Sequence, residues 1–69
     1  MRSFGYNGAK EVLEVEFQSG AVYQYFDVPP AIHNQLAKAE SKGRYFNSAI
    51  RDTYQCLQVN RKQRRAASR

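Results

Sequence analysis

The chain has 69 residues, a net charge of +5, five tyrosines, four phenylalanines and a single cysteine. A chain of this length forms one small domain that buries only about 60% of its unfolded surface, so we expect most aromatic side chains to lie in its core. The lone cysteine excludes an internal disulfide, and the chain has no apolar run typical of a signal peptide or a membrane span, so we predict a cytoplasmic protein.

The first predicted elements are two strands joined by a turn. Residues 2–10 contain a short run with Phe4 and Tyr6, and the Asn7-Gly8 pair that follows is typical of a turn. Residues 11–18, EVLEVEFQ, alternate between apolar and polar side chains, which is the pattern of a half-buried strand. The predicted inner residues of this strand are Leu13, Val15 and Phe17, and the outer residues are Glu14 and Glu16.

The next turn, Gln18-Ser19-Gly20, sets the register of the following strand, AVYQYF. A three-residue hairpin loop places a left-handed residue third, where Gly20 fits, and it pairs Val15 with Tyr23 and Leu13 with Tyr25. A two-residue loop would place both tyrosines opposite Glu16 and Glu14 and expose them, but its turn type prefers glycine first. We therefore predict that both tyrosines are core residues rather than platforms for nucleobases.

The outer face of this hairpin is predicted to be unsuitable for phosphate because it is acidic around Glu14 and Glu16. On the same face an exposed Phe26 beside Val12 and Val22 would form an apolar patch of the kind that protein interfaces use. A protein partner, or a second copy of the chain, is one interpretation of this face.

Residues 27–43, DVPPAIHNQLAKAESKG, are predicted to form the main helix. Proline is tolerated in its first turn, and Gly43 is suited to close its C-terminus. An apolar stripe of Ile32, Leu36 and Ala39 is expected to lie across the tyrosine face of the sheet, with Asn34, Lys38 and Ser41 facing water. His33 lies at the edge of the stripe and is interpreted as a partly covered surface residue, not a ligand or a catalytic base.

The last folded residues are predicted to form a short helical turn and an edge strand. Asn47 is a suitable N-cap for a turn that continues to Ile50, and residues 54–59, YQCLQV, alternate as a strand does. The predicted fold class is α+β: an antiparallel sheet of three to four strands with one main helix packed on one face and a short second helical turn. The predicted domain covers residues 1–60.

The sequence has no pattern typical of an enzyme. His33, Cys56 and the six carboxylates show no metal-ligand spacing, no nucleophile beside a base and no glycine-rich phosphate loop. We therefore predict a protein without catalytic activity, metal or cofactor.

The positive charge is concentrated at the end of the chain. Residues 1–60 contain six lysines and arginines and six acidic residues, whereas residues 61–69 contain five cations and no acid. Such a segment has too few apolar residues to pack, so we predict a disordered basic tail. A charge run of this kind either keeps a protein soluble or attracts a polyanion through phosphate contacts.

Four further cations are candidates for a basic patch in the folded domain. If the second helical turn folds back beside the first helix, Lys42, Arg44 and Arg51 converge, and the tail extends the patch. Alternatively Arg51 pairs with Asp27 or Glu40, and the lysines are the solvated face of a helix. The predicted partner is RNA or another polyanion, with a protein partner as the alternative. The predicted nucleic-acid-binding residues are Lys38, Lys42, Arg44, Arg51, Arg61, Lys62, Arg64 and Arg65.

Four segments, FGYN, LEVEFQSGAVYQYFDVP, AESKGRYFN and IRDTY, resemble the KTSC domain, which is named for its occurrence at the C-terminus of some lysyl-tRNA synthetases. The resemblance covers about residues 3–57. It rests on an ordered set, namely Tyr23 and Tyr25, Val28-Pro29, Phe46-Asn47 and Ile50-Arg51. The family also occurs as small stand-alone bacterial and phage proteins. The synthetase context implies RNA binding by association, and the arginine-rich end lies outside the shared pattern.

Overall fold

The computed structural model describes residues 1–59, which form a four-stranded antiparallel sheet and two helices. The strands are β1 (Ser3–Asn7), β2 (Val12–Glu16), β3 (Val22–Tyr25) and β4 (Cys56–Val59), in the order β1-β2-β3-β4. The helices α1 (Pro30–Lys38) and α2 (Lys42–Ala49) connect β3 to β4. The predicted α+β class is confirmed, and the predicted tail at 61–69 lies outside the described residues.

The hairpin of β2 and β3 has the predicted register. Leu13 pairs with Tyr25 and Val15 with Tyr23, and the Phe17 amide donates to the Ala21 carbonyl at 2.9 Å. Gly20 closes the loop at φ 94°, a conformation that other residues adopt only with strain. The turn chemistry therefore predicted which face of β3 points inward.

The hairpin of β1 and β2 is held by the side chain of Asn7. Asn7 pairs with Val12, so the turn spans residues 8–11. The Asn7 side-chain carbonyl accepts hydrogen bonds from the amides of Ala9 at 3.1 Å and Lys10 at 3.2 Å. The Asn7-Gly8 pair thus marks the turn as predicted, and Asn7 is both the last residue of the strand and the anchor of the loop.

Both helices pack on the inner face of the sheet, the face that carries Leu13 and Tyr25. Phe46 of α2 is 1% exposed, and its ring meets Phe17 and Tyr25 edge to face, with centroids 5.6 and 5.2 Å apart. Above β1, the His33 ring of α1 stacks on Tyr6 at 4.5 Å. The fully buried side chains of the core are Phe46, Leu13, Leu36, Ile50, Val15 and Val28.

The prediction of one helix over residues 27–43 is wrong, because α1 ends at Lys38 and a second helix begins at Lys42. Ala39 takes an extended conformation at ψ 140°, and Ser41 caps α2 by accepting a hydrogen bond from the Arg44 amide at 3.3 Å. A serine before a helix is an effective N-cap, so Gly43 lies inside the first turn of α2 and does not close α1.

Asn47 is likewise not an N-cap, since it lies in the middle of α2. The expected short turn is a complete helix of eight residues that ends at Ala49, and Ile50 is its C-cap, whose amide donates to the Phe46 carbonyl at 3.0 Å. The strand expected over residues 54–59 begins two residues later, at Cys56, and it lies at the edge of the sheet as predicted.

Two apolar residues of the outer face are less exposed than expected. Val22 is only 7% exposed because its cross-strand neighbours, Glu16 and Val59, lie beside it on that face. Phe26 is half-buried rather than exposed. The predicted patch is therefore wrong at Val22, whereas the half-buried Val12 and Phe26 line one pocket, and the large apolar side chain exposed on this face is Leu57, at 60%.

Candidate functional site

The two tyrosines of β3 have different environments. Tyr25 is 4% exposed and lies in the core against Phe46. Tyr23 is half-buried, and its ring meets Phe17 edge to face with centroids 5.6 Å apart. The prediction of a core position is therefore confirmed for Tyr25, whereas Tyr23 has a partly accessible ring.

A cleft of about 600 Å³ opens between α2 and the β3 and β4 part of the inner face. Phe17, Tyr23 and Tyr25 form its aromatic side, and Asn47, Arg51 and Cys56 are among the polar residues that line it. Phe46 of α2 also lines the cleft, so aromatic and polar groups are present together, as is common in small-molecule and nucleotide sites.

The cleft exists because of the side-chain pattern of β4. Cys56 pairs with Tyr25 and Gln58 with Tyr23, so a small and a polar side chain share the inner face with the tyrosines. The two larger apolar residues of β4, Leu57 and Val59, have the opposite orientation. With no bulky apolar side chain on its inner side, β4 offers no surface on which a helix would pack.

The opposite wall of the cleft is formed by α2. Gly43 and Asn47 are four residues apart, so they lie on the same side of the helix, and both line the cleft. Asn47 is exposed and presents an amide that both donates and accepts hydrogen bonds. Arg51 and Asp52 follow α2 and place one cation and one anion at the cleft.

The polar groups around Tyr25 lie close enough to change its acidity. Burial and the neighbouring Cys56 thiol raise the pKa of Tyr25 to about 12, and the Arg51 guanidinium opposes this rise. The Tyr25 hydroxyl therefore stays protonated at neutral pH and can donate or accept a hydrogen bond. A phenol, a thiol and a guanidinium thus converge at one place in the cleft.

The structure describes four of the predicted nucleic-acid-binding residues, Lys38, Lys42, Arg44 and Arg51, and they lie at three places along the helices. Lys38 is the last residue of α1, Lys42 and Arg44 lie in the first turn of α2, and Arg51 follows its end. The eight residues of α2 span about 12 Å at a rise of 1.5 Å per residue. Lys42, Arg44 and Arg51 therefore extend from the first turn of α2 to just past its end, and Lys38 lies on α1. The tail residues Arg61, Lys62, Arg64 and Arg65 lie outside the described part of the chain.

The structure decides the alternative given for Arg51 and shows a contact of Lys42 that was not predicted. The ion pair found within residues 1–59 joins the Arg2 guanidinium to the Glu16 carboxylate at 3.8 Å. Arg51 is therefore paired with neither Asp27 nor Glu40. Lys42 donates its ammonium group to the Ala39 carbonyl at 3.3 Å, which satisfies the end of α1. Lys42 remains exposed, as do Arg44 and Arg51.

His33 and Cys56 lie at opposite edges of the sheet. His33 stacks on Tyr6 of β1 and meets Phe4 edge to face at 5.9 Å, whereas Cys56 is in β4. Three strand spacings of about 4.8 Å separate the edges by about 14 Å. Residues 1–59 contain no group of three His, Cys, Asp or Glu side chains placed to hold a metal ion. Neither α1 nor α2 has the length and hydrophobicity needed to cross a membrane.

Sequence reasoning missed the cleft and two of its residues. In the sequence Asn47 resembles a helix cap, and Cys56 is only a thiol without a partner. A signal was present in β4, whose alternation puts Cys56 and Gln58 on one face and Leu57 and Val59 on the other. A second signal lay in the residues that carry the resemblance to the KTSC domain. Several of them line the cleft, namely Tyr23, Tyr25, Phe46, Asn47 and Arg51.

Comparisons with known proteins give one consistent family. The sequence-family model of the KTSC domain matches residues 1–54 of the chain. An uncharacterised protein from Stutzerimonas stutzeri is 47% identical over 51 residues, which are 74% of this chain and 72% of that protein. A KTSC domain protein from Yersinia pestis has a crystal structure that matches with a TM-score of 0.80 at 35% identity, over 83% of this chain and 80% of that one.

The same domain occurs within larger proteins. A lysine–tRNA ligase from Nostoc punctiforme is 38% identical over 60 residues, which are 87% of this chain but only 11% of the ligase. The chain therefore resembles a small part of that enzyme, at most one domain of it.

Proposed function

The chain belongs to the KTSC domain family, and we propose that it is a non-enzymatic module that binds RNA through the cations along α2 and in residues 61–65. One observation carries the proposal: Lys42, Arg44 and Arg51 are exposed along α2, and Arg51 borders a cleft with an accessible aromatic ring. Proteins bind single-stranded nucleic acid with cations that contact its phosphates and with aromatic rings that stack on its bases.

The distribution of charge supports this choice of surface. Glu14 and Glu16 lie on the outer face of the sheet, where Glu14 accepts a hydrogen bond from Gln24 at 3.2 Å and Glu16 pairs with Arg2. The helices and the cleft lie on the other face. The exposed cations Lys42, Arg44 and Arg51 lie on the side of the helices, which favours that side over the outer face for a polyanion.

The relatives support RNA as the polyanion. A lysine–tRNA ligase acts, by its name, on a tRNA, and the ligase from Nostoc punctiforme contains a region 38% identical to this chain. This support is by association, so the cations and the cleft remain the physical basis of the proposal.

The separation of the chemically active side chains supports a binding role without catalysis. His33 is stacked against Tyr6, and the Cys56 thiol lies across the sheet beside Tyr25. The His33 ring is therefore not placed to activate this thiol.

The test is the affinity of the intact chain for a fluorescently labelled single-stranded RNA, measured over a series of salt concentrations. We expect the logarithm of the affinity to fall linearly with the logarithm of the salt concentration, because phosphate binding releases counterions. Replacing the tail cations with glutamine should flatten the slope by about 0.7 for each phosphate that the variant no longer binds. The tail residues to replace together are Arg61, Lys62, Arg64 and Arg65.

A second variant separates the folded domain from the tail. Replacing Lys42, Arg44 and Arg51 with glutamine should flatten the slope by up to about 2.1, or about 0.7 for each phosphate. Lys10→Gln, in the turn between β1 and β2, is the matched control and should leave the slope unchanged. Absence of binding at low salt would contradict the proposal.

A protein partner is the second candidate, and one observation favours it. β4 is at the edge of the sheet formed by residues 1–59, and its Leu57 is 60% exposed. An edge strand with an exposed apolar side chain is suited to pair with a strand of another protein. Loss of binding to a protein partner on Leu57→Lys, in a chain that does not bind RNA, would support this candidate.

A further inference from the structure

We infer that the cleft between α2 and the inner side of β3 and β4 binds one unpaired nucleotide, with the base against Tyr23 and the phosphate at Arg51. The inference rests on the proposed RNA binding and specifies the nucleotide-sized site within it. The cleft volume of about 600 Å³ lies within the usual range of about 300–1,000 Å³ for small-ligand sites.

The base would be held by the aromatic wall. The Tyr23 ring is positioned by its edge contact with Phe17, and it remains partly accessible from the cleft. Phe17 also lines the cleft, so two rings from adjacent parts of one hairpin face the bound molecule. A planar base gains from stacking on such a ring whatever its identity, since every base has a flat aromatic face.

The edge of the base would meet polar groups of both kinds. The exposed Asn47 amide donates and accepts, and so does the protonated Tyr25 hydroxyl at the base of the cleft. The edge of every base carries hydrogen-bond donors, acceptors or both, which match this set. The Tyr25 hydroxyl already interacts with the Cys56 thiol and has capacity for a second hydrogen bond, and a purely apolar ligand would use neither this hydroxyl nor the Asn47 amide.

The charges at the cleft orient the nucleotide. Among the described residues that line the cleft, Arg51 has the positively charged side chain. It forms no ion pair with Asp27 or Glu40. Asp52, the next residue, would repel a phosphate and attract a ribose hydroxyl. The phosphate is therefore expected at Arg51 and the ribose toward Asp52. Lys42 and Arg44 lie in the first turn of α2, about 10–14 Å from Arg51 at a rise of 1.5 Å per residue, within reach of a neighbouring phosphate.

The test is a titration of the intact chain with uridine and adenosine 5′-monophosphates, followed by the amide resonances in nuclear magnetic resonance spectra. We expect both nucleotides to shift the amides of Tyr23, Asn47, Arg51 and Cys56. Arg51→Gln should weaken nucleotide binding by about tenfold, the effect of losing a charge-assisted hydrogen bond. Lys10→Gln, at the far edge of the sheet, should bind as the unmodified chain does.

Ribose 5-phosphate separates the base from the phosphate. It should bind more weakly than either nucleotide, because it cannot stack on Tyr23. Equal shifts with ribose 5-phosphate would overturn the inference, and so would unchanged binding in Arg51→Gln. Since Arg51 is exposed, that variant should fold normally and its result is interpretable.

The two proposals can fail separately. If single-stranded RNA binds but neither nucleotide shifts the cleft amides, the cleft inference is wrong and the RNA-binding proposal stands. If the nucleotides bind in the cleft while RNA does not bind, the cleft inference is supported and RNA is not the partner.

Discussion

The inner face of the sheet has a covered half over β1, β2 and Tyr25 of β3, and an open half around Tyr23 and β4. In the covered half Leu13 and Val15 are fully buried, and the His33 ring stacks on Tyr6. In the open half Tyr23 is half-buried and Cys56 is exposed. The same sheet face is therefore core on one side and a solvent-accessible cleft on the other.

The two edge strands account for the difference. β1 directs Phe4 and Tyr6 inward, where they pack against the core. β4 directs Cys56 and Gln58 inward and its larger apolar residues outward. Burial of apolar area makes a helix pack on a sheet, so a polar inner edge leaves that part of the sheet accessible for binding.

The largest expected effect comes from Phe46, which joins the two halves by its contacts with Phe17 and Tyr25. Phe46→Ala should lower the free energy of unfolding by about 3–5 kcal/mol, the cost of deleting a large buried ring. A domain this small has little more stability than that, so the variant should be largely unfolded. Circular dichroism during thermal unfolding measures the change.

The neighbouring half-buried residue is the matched control for Phe46. Tyr45→Ala changes the same helix but removes a ring that is only partly buried, so the loss of stability should be clearly smaller. Equal losses in the two variants would contradict a core centred on Phe46.

A rise in pH should destabilise the boundary between the halves. The pKa of Tyr25 is about 12 in the folded chain against 10.0 normally, because of burial and the adjacent Cys56 thiol. The folded state holds this proton more tightly than the unfolded state, so the stabilisation is complete below pH 10.0 and is lost as the pH rises toward about 12. Chemical denaturation over this pH range should show falling stability in the unmodified chain and a weaker fall in Tyr25→Phe, if that variant folds.

The turn between β2 and β3 aligns Tyr23 and Tyr25 with the inner face, and Gly20 holds it. Gly20→Ala should lower the free energy of unfolding by about 1–2 kcal/mol, because φ is 94° there. Gly5→Ala is the matched control, since a Cβ at Gly5 would meet no atom within 4 Å. A similar small effect at both positions would contradict the importance of this turn.

The smallest effects should come from the two reactive side chains. His33→Ala removes a stacked ring pair from the covered half and should lower the free energy of unfolding by about 0.5–1.5 kcal/mol. Cys56→Ser changes an exposed side chain of the open half and should alter it by less than about 0.5 kcal/mol. A larger loss of unfolding free energy in Cys56→Ser than in His33→Ala would contradict the assignment of His33 to the covered half and Cys56 to the open half.

The sequence predicted the strands and the β2–β3 register because these depend on local chemistry. Alternation marked Leu13 and Val15 as inner residues, and Gly20 selected the loop length. The helices were predicted less well. Gly43 after a helical segment resembles a C-terminal glycine, but the Ser41 cap and the extended Ala39 divide the segment into two helices.

The cleft was not predicted because it depends on residues distant in sequence. Tyr25 and Cys56 meet only when β4 pairs with β3, and Arg51 reaches them only because α2 is a full helix that ends nearby. The cations were identified by charge alone, which cannot show that Lys42 and Arg51 lie at opposite ends of α2. The sequence therefore identified which cations were candidates but not the distances between them in the fold.

The most direct test of the division between the two halves is a map of RNA binding on the intact chain. A short single-stranded oligoribonucleotide is added, and the amide shifts of all assigned residues are compared. We expect the largest shifts at Tyr23, Asn47 and Arg51 in the open half and small shifts at Tyr6 and Val15 in the covered half. Shifts concentrated on β1 and α1, with the cleft amides unchanged, would contradict the proposal that the open half is the binding surface.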